Sequence, residues 1–301
     1  MPARLCLSAV MFAVTLLTSP AAPSLDPALV ASLGNAWGAG EAVWLAPDEA
    51  AEFEVARVPD GRWEVWAELQ RMGVDLVVQP AEGRRKRVLL ADMDSTMIRQ
   101  ECIDELADVA GVGAQVAAIT ARAMHGELAF EGALRARLRL LGGLDAGVIG
   151  RVLGERISFM PGGRELVATM KANGGYAALV SGGFTAFTEV VARELGFDEH
   201  RANALVIEDG RLAGRVAEPI LGREAKVAAL EEIAARLGIS EAEVMAVGDG
   251  ANDLGMLKRA GAGVALHAKP VVAAEVDIRI NHGDLTALLY IQGYGRDDFA
   301  A

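Results

Sequence analysis

The sequence predicts an α/β protein: a Rossmann-like parallel sheet with helices on both faces, an inserted helical cap, and an N-terminal ferredoxin-like α+β module. Three features of the chain predict it. Short apolar runs (Val88–Ala91, Tyr176–Val180, Val244–Val247 and Val264–Leu266) alternate with helical segments, as they do in parallel sheets covered on both sides. Some sixty residues of helical pattern interrupt that alternation after Thr96, which places them as an insertion over the sheet. The first 80 residues read instead as βαββαβ, a split motif with its own sheet.

Arg4 followed by the apolar run Leu5–Leu17 and then small residues resembles a secretory leader. Leu7, Val10, Phe12 and Val14 can equally fill a sheet as a first strand. Asp26-Pro27 starts a helix to about Leu33, because proline suits the first helical turn. Glu41–Leu45 and Glu52–Ala56 read as strands around Pro47-Asp48, Arg62–Met72 as a helix and Val74–Val78 as a strand. Losing residues 1–22 would remove a strand that this module needs, so a retained N-terminus and a cytoplasmic protein are expected. The module resembles amino-acid-binding regulatory domains of the ACT type. No motif in it marks a ligand site, and packing or association, including a homodimer, is the role expected of it. The basic stretch Ala81–Arg87 reads as a solvated linker rather than a nuclear-localisation or nucleic-acid patch. The expected domains are therefore 1–80 and 81–301, with the cap inserted at about 100–156.

Cys102–Val109, Gln115–Met124, Phe130–Leu141 and Ala146–Leu153 are the cap helices, with Ile103, Leu106 and Val109 at helical spacing. Beyond them come a helix at Phe184–Leu195, a hairpin of Ala204–Glu208 and Arg211–Val216 around Asp209-Gly210, and a helix at Asp253–Arg259. Ser240 and Glu243 have capping-box spacing. The 301 residues carry a net charge of −12, which argues against nucleic acid or an anionic membrane as partner. Two cysteines make no disulfide framework, and the four histidines have no zinc-ligand spacing.

Candidate chemistry sits at the ends of predicted strands, where open α/β sheets bind ligands. Asp92 and Asp94 follow Val88–Ala91, and two such anions repel by roughly 4 kcal/mol at an effective dielectric near 20. Only a cation or a shared proton would let a crevice keep both; the plain alternative is an acidic loop. Ser181-Gly182-Gly183 offers a hydroxyl and backbone N–H groups at a helix start, a natural phosphate cradle and also a common turn. Gly248–Asp253 pairs tight-turning glycines with the oxygen ligands Asp249 and Asp253, a set that suits Mg²⁺. Lys226 lies on an amphipathic helix between the serine and this second acidic cluster.

Together these motifs resemble the haloacid dehalogenase-like superfamily, and within it the phosphoserine phosphatases. DMDST, Glu101, AMHGELAF (Ala123–Phe130), Arg137, SGGF and GDGANDLGM occur in order across roughly Val88–Ile291. The resemblance implies a Mg²⁺-dependent hydrolase that takes O-phospho-L-serine to L-serine and phosphate, the last step of serine biosynthesis. It implies that Asp92 attacks phosphorus, that Asp94 acts as acid and then base, and that Mg²⁺ rests on Asp92, the Asp94 carbonyl and Asp249, with Asp253 supporting the metal site directly or through water. Ser181, Gly182 and Lys226 would hold the transferring phosphoryl group, and Asn252 would orient phosphate or Lys226. Glu101 would bind the substrate ammonium and Arg137 its carboxylate, under an apolar cover of Met124 and Phe130. Two other readings stay open: a related phosphatase or phosphotransferase for another small phosphomonoester, and a non-catalytic amino-acid sensor.

Overall fold

The structure is a computed structural model, and it describes residues 10–124 and 127–300. The early part of the first expected strand therefore lies outside the described residues. β1 (Phe12–Leu17), α1 (Pro27–Ala36), β2 (Val43–Ala46), β3 (Ala50–Val55), α2 (Arg62–Arg71) and β4 (Asp75–Pro80) form the N-terminal module. Its antiparallel sheet has the order β2-β3-β1-β4, with β1 central between β3 and β4. Asp26 caps α1 by accepting from the Ala28 N–H at 2.8 Å, with Pro27 in the first turn as expected. Alternation along the strands gives this sheet two buried faces. Val14, Leu16, Phe53 and Leu76 cluster with Val30, Leu33 and Leu69 of the two helices. Leu17, Ala46, Ala50 and Val77 instead join the large core of the rest of the chain.

The second unit runs β5 (Val88–Ala91), α3 (Cys102–Val109), α4 (Gly113–Met124), α5 (Phe130–Leu140), α6 (Gly147–Glu155), α7 (Gly163–Ala172), β6 (Tyr176–Phe184), α8 (Thr185–Leu195), β7 (Glu199–Asn203), β8 (Leu205–Glu208), β9 (Arg211–Val216), α9 (Arg223–Leu237), β10 (Val244–Gly248), α10 (Leu254–Arg259), β11 (Ala262–Leu266), α11 (Pro270–Ala273), β12 (Ile278–Ile280) and α12 (Ala287–Tyr290). Six strands form one sheet in the order β12-β11-β10-β5-β6-β7, every pair parallel. Leu89, Ala91, Leu179 and Val247 face one apolar layer; Val88, Leu90, Val180 and Ala246 face the other, beneath α9 and α10. Both faces are covered, which is why these strands read as unbroken apolar runs.

The structure adds elements that the sequence reading left out, α7, β7, α11, β12 and α12, and β11 starts at Ala262, two residues before the expected Val264. β6 also extends four residues beyond Val180, to Phe184. The Ser240–Glu243 capping box is present, on a single 3₁₀ turn (Glu241–Glu243). The hairpin β8–β9 docks on the cap: the Gly143 N–H donates to the Leu212 carbonyl and the Leu212 N–H to the Leu144 carbonyl, both at 2.8 Å.

The two units are tied by buried polar contacts. Asp75 accepts from the N–H groups of Asn281, His282 and Gly283 at 2.9–3.0 Å. Buried Glu49 accepts from the Tyr290 hydroxyl at 2.9 Å, and Arg84 makes a forked pair with Glu52. Every lone pair so satisfied avoids the desolvation cost of an orphaned buried group.

Candidate active site

β5, β6 and β10 are neighbours in the middle of the sheet, so the loops at their C-terminal ends share one crevice. Asp92 follows β5, Ser181 lies near the end of β6, and Asp249 follows β10. Asp92, Asp249 and Asp253 each present a carboxylate oxygen within 4.8 Å of the others, and all three are buried. The loop that brings Asp253 back requires glycine at 248, since a Cβ there would overlap the Asp253 carboxylate. Asp253 is fixed in turn by the Gly250 N–H, which donates to its Oδ2 at 3.0 Å.

Lys226 reaches this group from α9. It is 1% exposed, and its Nζ donates to Asp92 Oδ1 and Asp253 Oδ1, each at 2.6 Å. Burial alone would lower its pKa, but Asp92 and Asp253 outweigh burial and hold it above the ordinary lysine value. Burial, then Asp253, push the Asp92 carboxyl up; burial, then Asp253, raise Asp249 to about 6. Three carboxylates thus share one buried ammonium, with only the exposed Lys269 ammonium 3.8 Å from Asp249 beside them, a negative excess that a divalent cation would balance. Hard oxygen donors are what Mg²⁺ and Ca²⁺ take, and this donor set fits such an ion. The Asp94 carboxylate stands outside the trio. Its backbone carbonyl accepts none of the loop's hydrogen bonds among the described residues, whereas that of Met93 accepts three.

Asp94 sits one step into the crevice. Its Oδ1 accepts from the Cys102 N–H at 3.4 Å, and burial, then Glu101, raise its pKa to about 7. Such a carboxyl exchanges its proton near neutrality. A side chain on Gly183 would meet the Asp94 Oδ2 at 2.9 Å, which accounts for the glycine after Ser181-Gly182. The Ser181 Oγ accepts from the Gly183 N–H at 2.9 Å, which leaves its own proton to donate elsewhere.

A cavity of about 510 Å³ opens between these loops and the cap. Asp92, Asp94, Ser181, Gly182, Asp249 and Asn252 line its floor, and Glu101, Phe130 and Arg137 its cap side. Glu101 is held by the Ser95 hydroxyl, which donates to Oε1 at 2.7 Å. Arg137 is half-buried, its Nε sealed from solvent without a hydrogen-bond partner, and burial lowers its pKa against the pull of Asp104, Glu101 and Asp94. A buried guanidinium nitrogen left unpaired is costly, so this one is poised for an anion. The Phe130 ring, 37% exposed, rests over Gly182, 3.3 Å from where a Cβ on that residue would lie. Met124 ends α4, and its side chain lies outside the described residues. Of the expected site residues with described side chains, only Lys226 and Asp253 stand behind the cavity rather than on its wall. Sequence reasoning missed Lys269 and Arg223, which also line it. Their signal was present but faint, a lysine just after a short strand and an arginine beside Gly222.

If the trio holds a divalent ion, adding Mg²⁺ to protein stripped with EDTA raises Tm, since a ligand bound only to the folded state stabilises it. Asp249→Asn should abolish most of that shift, as read by a thermal melt at fixed ionic strength. An unchanged shift in the variant would place the ion elsewhere.

A central parallel sheet, a helical cap and an acidic cluster with a buried lysine at the strand ends define a class of hydrolases. The haloacid dehalogenase-like hydrolase model matches residues 89–258, and the chain belongs to that family. It is 46% identical over 223 residues to the phosphoserine phosphatase of Archaeoglobus fulgidus, covering 73% of this chain. That match spans 64% of the relative's length, less than two thirds of it. Among solved structures, a haloacid dehalogenase family hydrolase from Salmonella enterica serovar Typhi superposes with a TM-score of 0.84 at 29% identity, covering 94% of this chain and 98% of that one. A substrate-bound phosphoserine phosphatase complex gives a TM-score of 0.64 at 40% identity, over 68% of this chain and 97% of that one. The first of these likenesses takes in the N-terminal module, and the second covers a share close to that of the sheet and cap. No helix among the described residues is long and apolar enough to cross a membrane.

Proposed function

We propose that the chain is a Mg²⁺-dependent phosphoserine phosphatase that releases L-serine and phosphate through an aspartyl-phosphate on Asp92. The observation that carries this reading is the convergence of Asp92, Asp249, Asp253 and Lys226 on one buried spot at the mouth of the sheet. Identity with curated phosphoserine phosphatases supports the substrate. Asp92 is the nucleophile: one carboxylate oxygen faces Lys226, and a covalent intermediate splits a hard hydrolysis into two easier steps. Asp94 protonates the leaving serine oxygen and then takes the proton of the attacking water, a double duty that a pKa of about 7 suits. Ser181, the Gly182 N–H and Lys226 hold charge on the transferring group, with Asn252 beside them, and such positioned charge supplies most of the catalysis in phosphoryl transfer. A divalent ion held by Asp92, the Asp94 carbonyl, Asp249 and Asp253 would offset carboxylate–phosphate repulsion and polarise the phosphoryl oxygens.

Glu101 takes the substrate ammonium and Arg137 its carboxylate, while Phe130, with Met124, excludes water. The planar fork of arginine suits a carboxylate in a way that a lysine would not. The proposed setting is cytoplasmic, in keeping with two cysteines that make no disulfide framework.

The test is phosphate release from O-phospho-L-serine, from other small phosphomonoesters and from an aryl phosphate, with Mg²⁺ and with EDTA. Phosphoserine should be the best substrate and EDTA should abolish turnover. Arg137→Ala should lower kcat/KM for phosphoserine about a hundredfold, the scale of a lost charge-assisted bidentate contact, and that for the aryl phosphate only a few-fold. Equal losses on both would make Arg137 a structural residue, and an indifferent substrate panel would leave a general phosphomonoesterase.

A further inference from the structure

Four carboxylates line the cavity, Asp92, Asp94, Glu101 and Asp249, yet a phosphate dianion has to come to rest among them. The ammonium of Lys226 lies behind the cavity wall, 2.6 Å from both Asp92 and Asp253, so it meets the phosphoryl group only at the nucleophile and not at the rim. Among the described residues, the cations on the cavity wall are Arg137 on the cap, Arg223 at the start of α9, and Lys269 on the lip after β11. Lys269 has a geometry of its own. Its N–H donates to the Asp249 carbonyl at 3.2 Å, and Pro270 begins α11 immediately after it. The backbone is thereby pinned to the loop that carries Asp249. Its side chain is 54% exposed, and the Nζ lies 3.8 Å from Asp249 Oδ2, beyond hydrogen-bond reach. A loose, exposed pair of this kind contributes little to stability. The cation is anchored at its root, free at its tip, and aimed at the rim of the cavity.

We infer that Lys269 is the residue that gathers substrate by its phosphate. Its ammonium draws the dianion past the acidic rim and pairs with a phosphate oxygen once Asp249 is engaged with the divalent ion. This rests on the phosphatase reading and deepens it, because it separates recognition of the phosphate from recognition of the amino acid by Glu101 and Arg137. An ammonium beside a dianion, in a nearly aqueous dielectric, is worth on the order of a tenfold gain in affinity. Salt should erode that gain, since the site is open to solvent.

The experiment compares Lys269→Met and Lys269→Arg with the wild type, all loaded with Mg²⁺. Lys269→Met should lower kcat/KM about tenfold on both phosphoserine and an aryl phosphate, through KM, with kcat within about twofold. The slope of log kcat/KM against ionic strength should flatten, and Lys269→Arg should restore both. Calorimetric titration with inorganic phosphate gives a readout apart from turnover, in which Lys269→Met should weaken binding about tenfold. Unchanged phosphate affinity, a loss carried by kcat, or a loss confined to phosphoserine would each overturn the assignment. If the wild type failed to hydrolyse phosphoserine while phosphate binding still depended on Lys269, the substrate reading would fall and the assignment of Lys269 would stand.

Discussion

Asp92→Asn should give a folded protein that releases no phosphate and forms no alkali-labile, hydroxylamine-sensitive phosphoenzyme, with kcat lower by at least about 10³-fold. The amide keeps the shape of the side chain and keeps an oxygen to accept the Met93 N–H, now 2.8 Å from Asp92 Oδ1. Lys226 retains its bond to Asp253, so no buried ammonium is orphaned. Losing one of two carboxylates that crowd each other also removes the repulsion that helps push Asp92 up. Stability should therefore hold while chemistry disappears, because an amide oxygen is a far poorer nucleophile than a carboxylate. Acid-quenched samples from turnover with phosphorus-labelled substrate read the intermediate directly. Label retained on the Asp92→Asn variant at wild-type level would move the nucleophile to another residue.

The floor of this site was legible in the sequence because its groups sit on three strand-end loops with dense local motifs. Val88–Ala91 predicts β5 without error, and a carboxylate two residues from another predicts a compensating cation. What stayed hidden depends on distance along the chain. Lys226 and Asp253 are separated by 27 positions, and only packing of α9 on α10 shows that one ammonium serves two aspartates. The missed fold elements have physical causes too. α7 starts after Pro161-Gly162 with Gly162 at φ +80° and no side-chain cap, so its first turn looks like a loop. β7 is a sheet edge whose Glu199 and Arg201 pair with each other, and charged edges carry no apolar alternation to detect. β12 is three residues long. The hairpin β8–β9 was plain from Asp209-Gly210, but its docking against the cap is a tertiary fact. Lys269 stands after a predicted strand like any surface lysine, and only its pinned backbone and its place on the cavity rim set it apart.

Lys226→Met should produce the largest change in stability of any single substitution in the site, about 3–5 kcal/mol at neutral pH in EDTA. Methionine fills a similar volume, so the loss is electrostatic rather than a packing defect. Asp92 and Asp253 would remain buried, 4.8 Å or less from Asp249, with no cation between them. Asp92 is already pushed up by burial and by Asp253, and without the ammonium it is pushed further. The folded variant then holds a proton that the unfolded chain, with an ordinary carboxylate pKa near about 4, gives up. A raised folded-state pKa contributes stability below the unfolded value and loses it as pH rises through the folded one. The deficit against the wild type should thus be small near pH 4 and widen toward neutrality, and urea denaturation across that range measures it. Mg²⁺ should recover part of the lost stability in Lys226→Met, since it supplies charge to the same three carboxylates, while turnover stays down by about 10²–10³-fold for want of the ammonium at phosphorus. Equal stability of variant and wild type at pH 7 would mean that Asp92 and Asp253 are already neutralised by something other than Lys226.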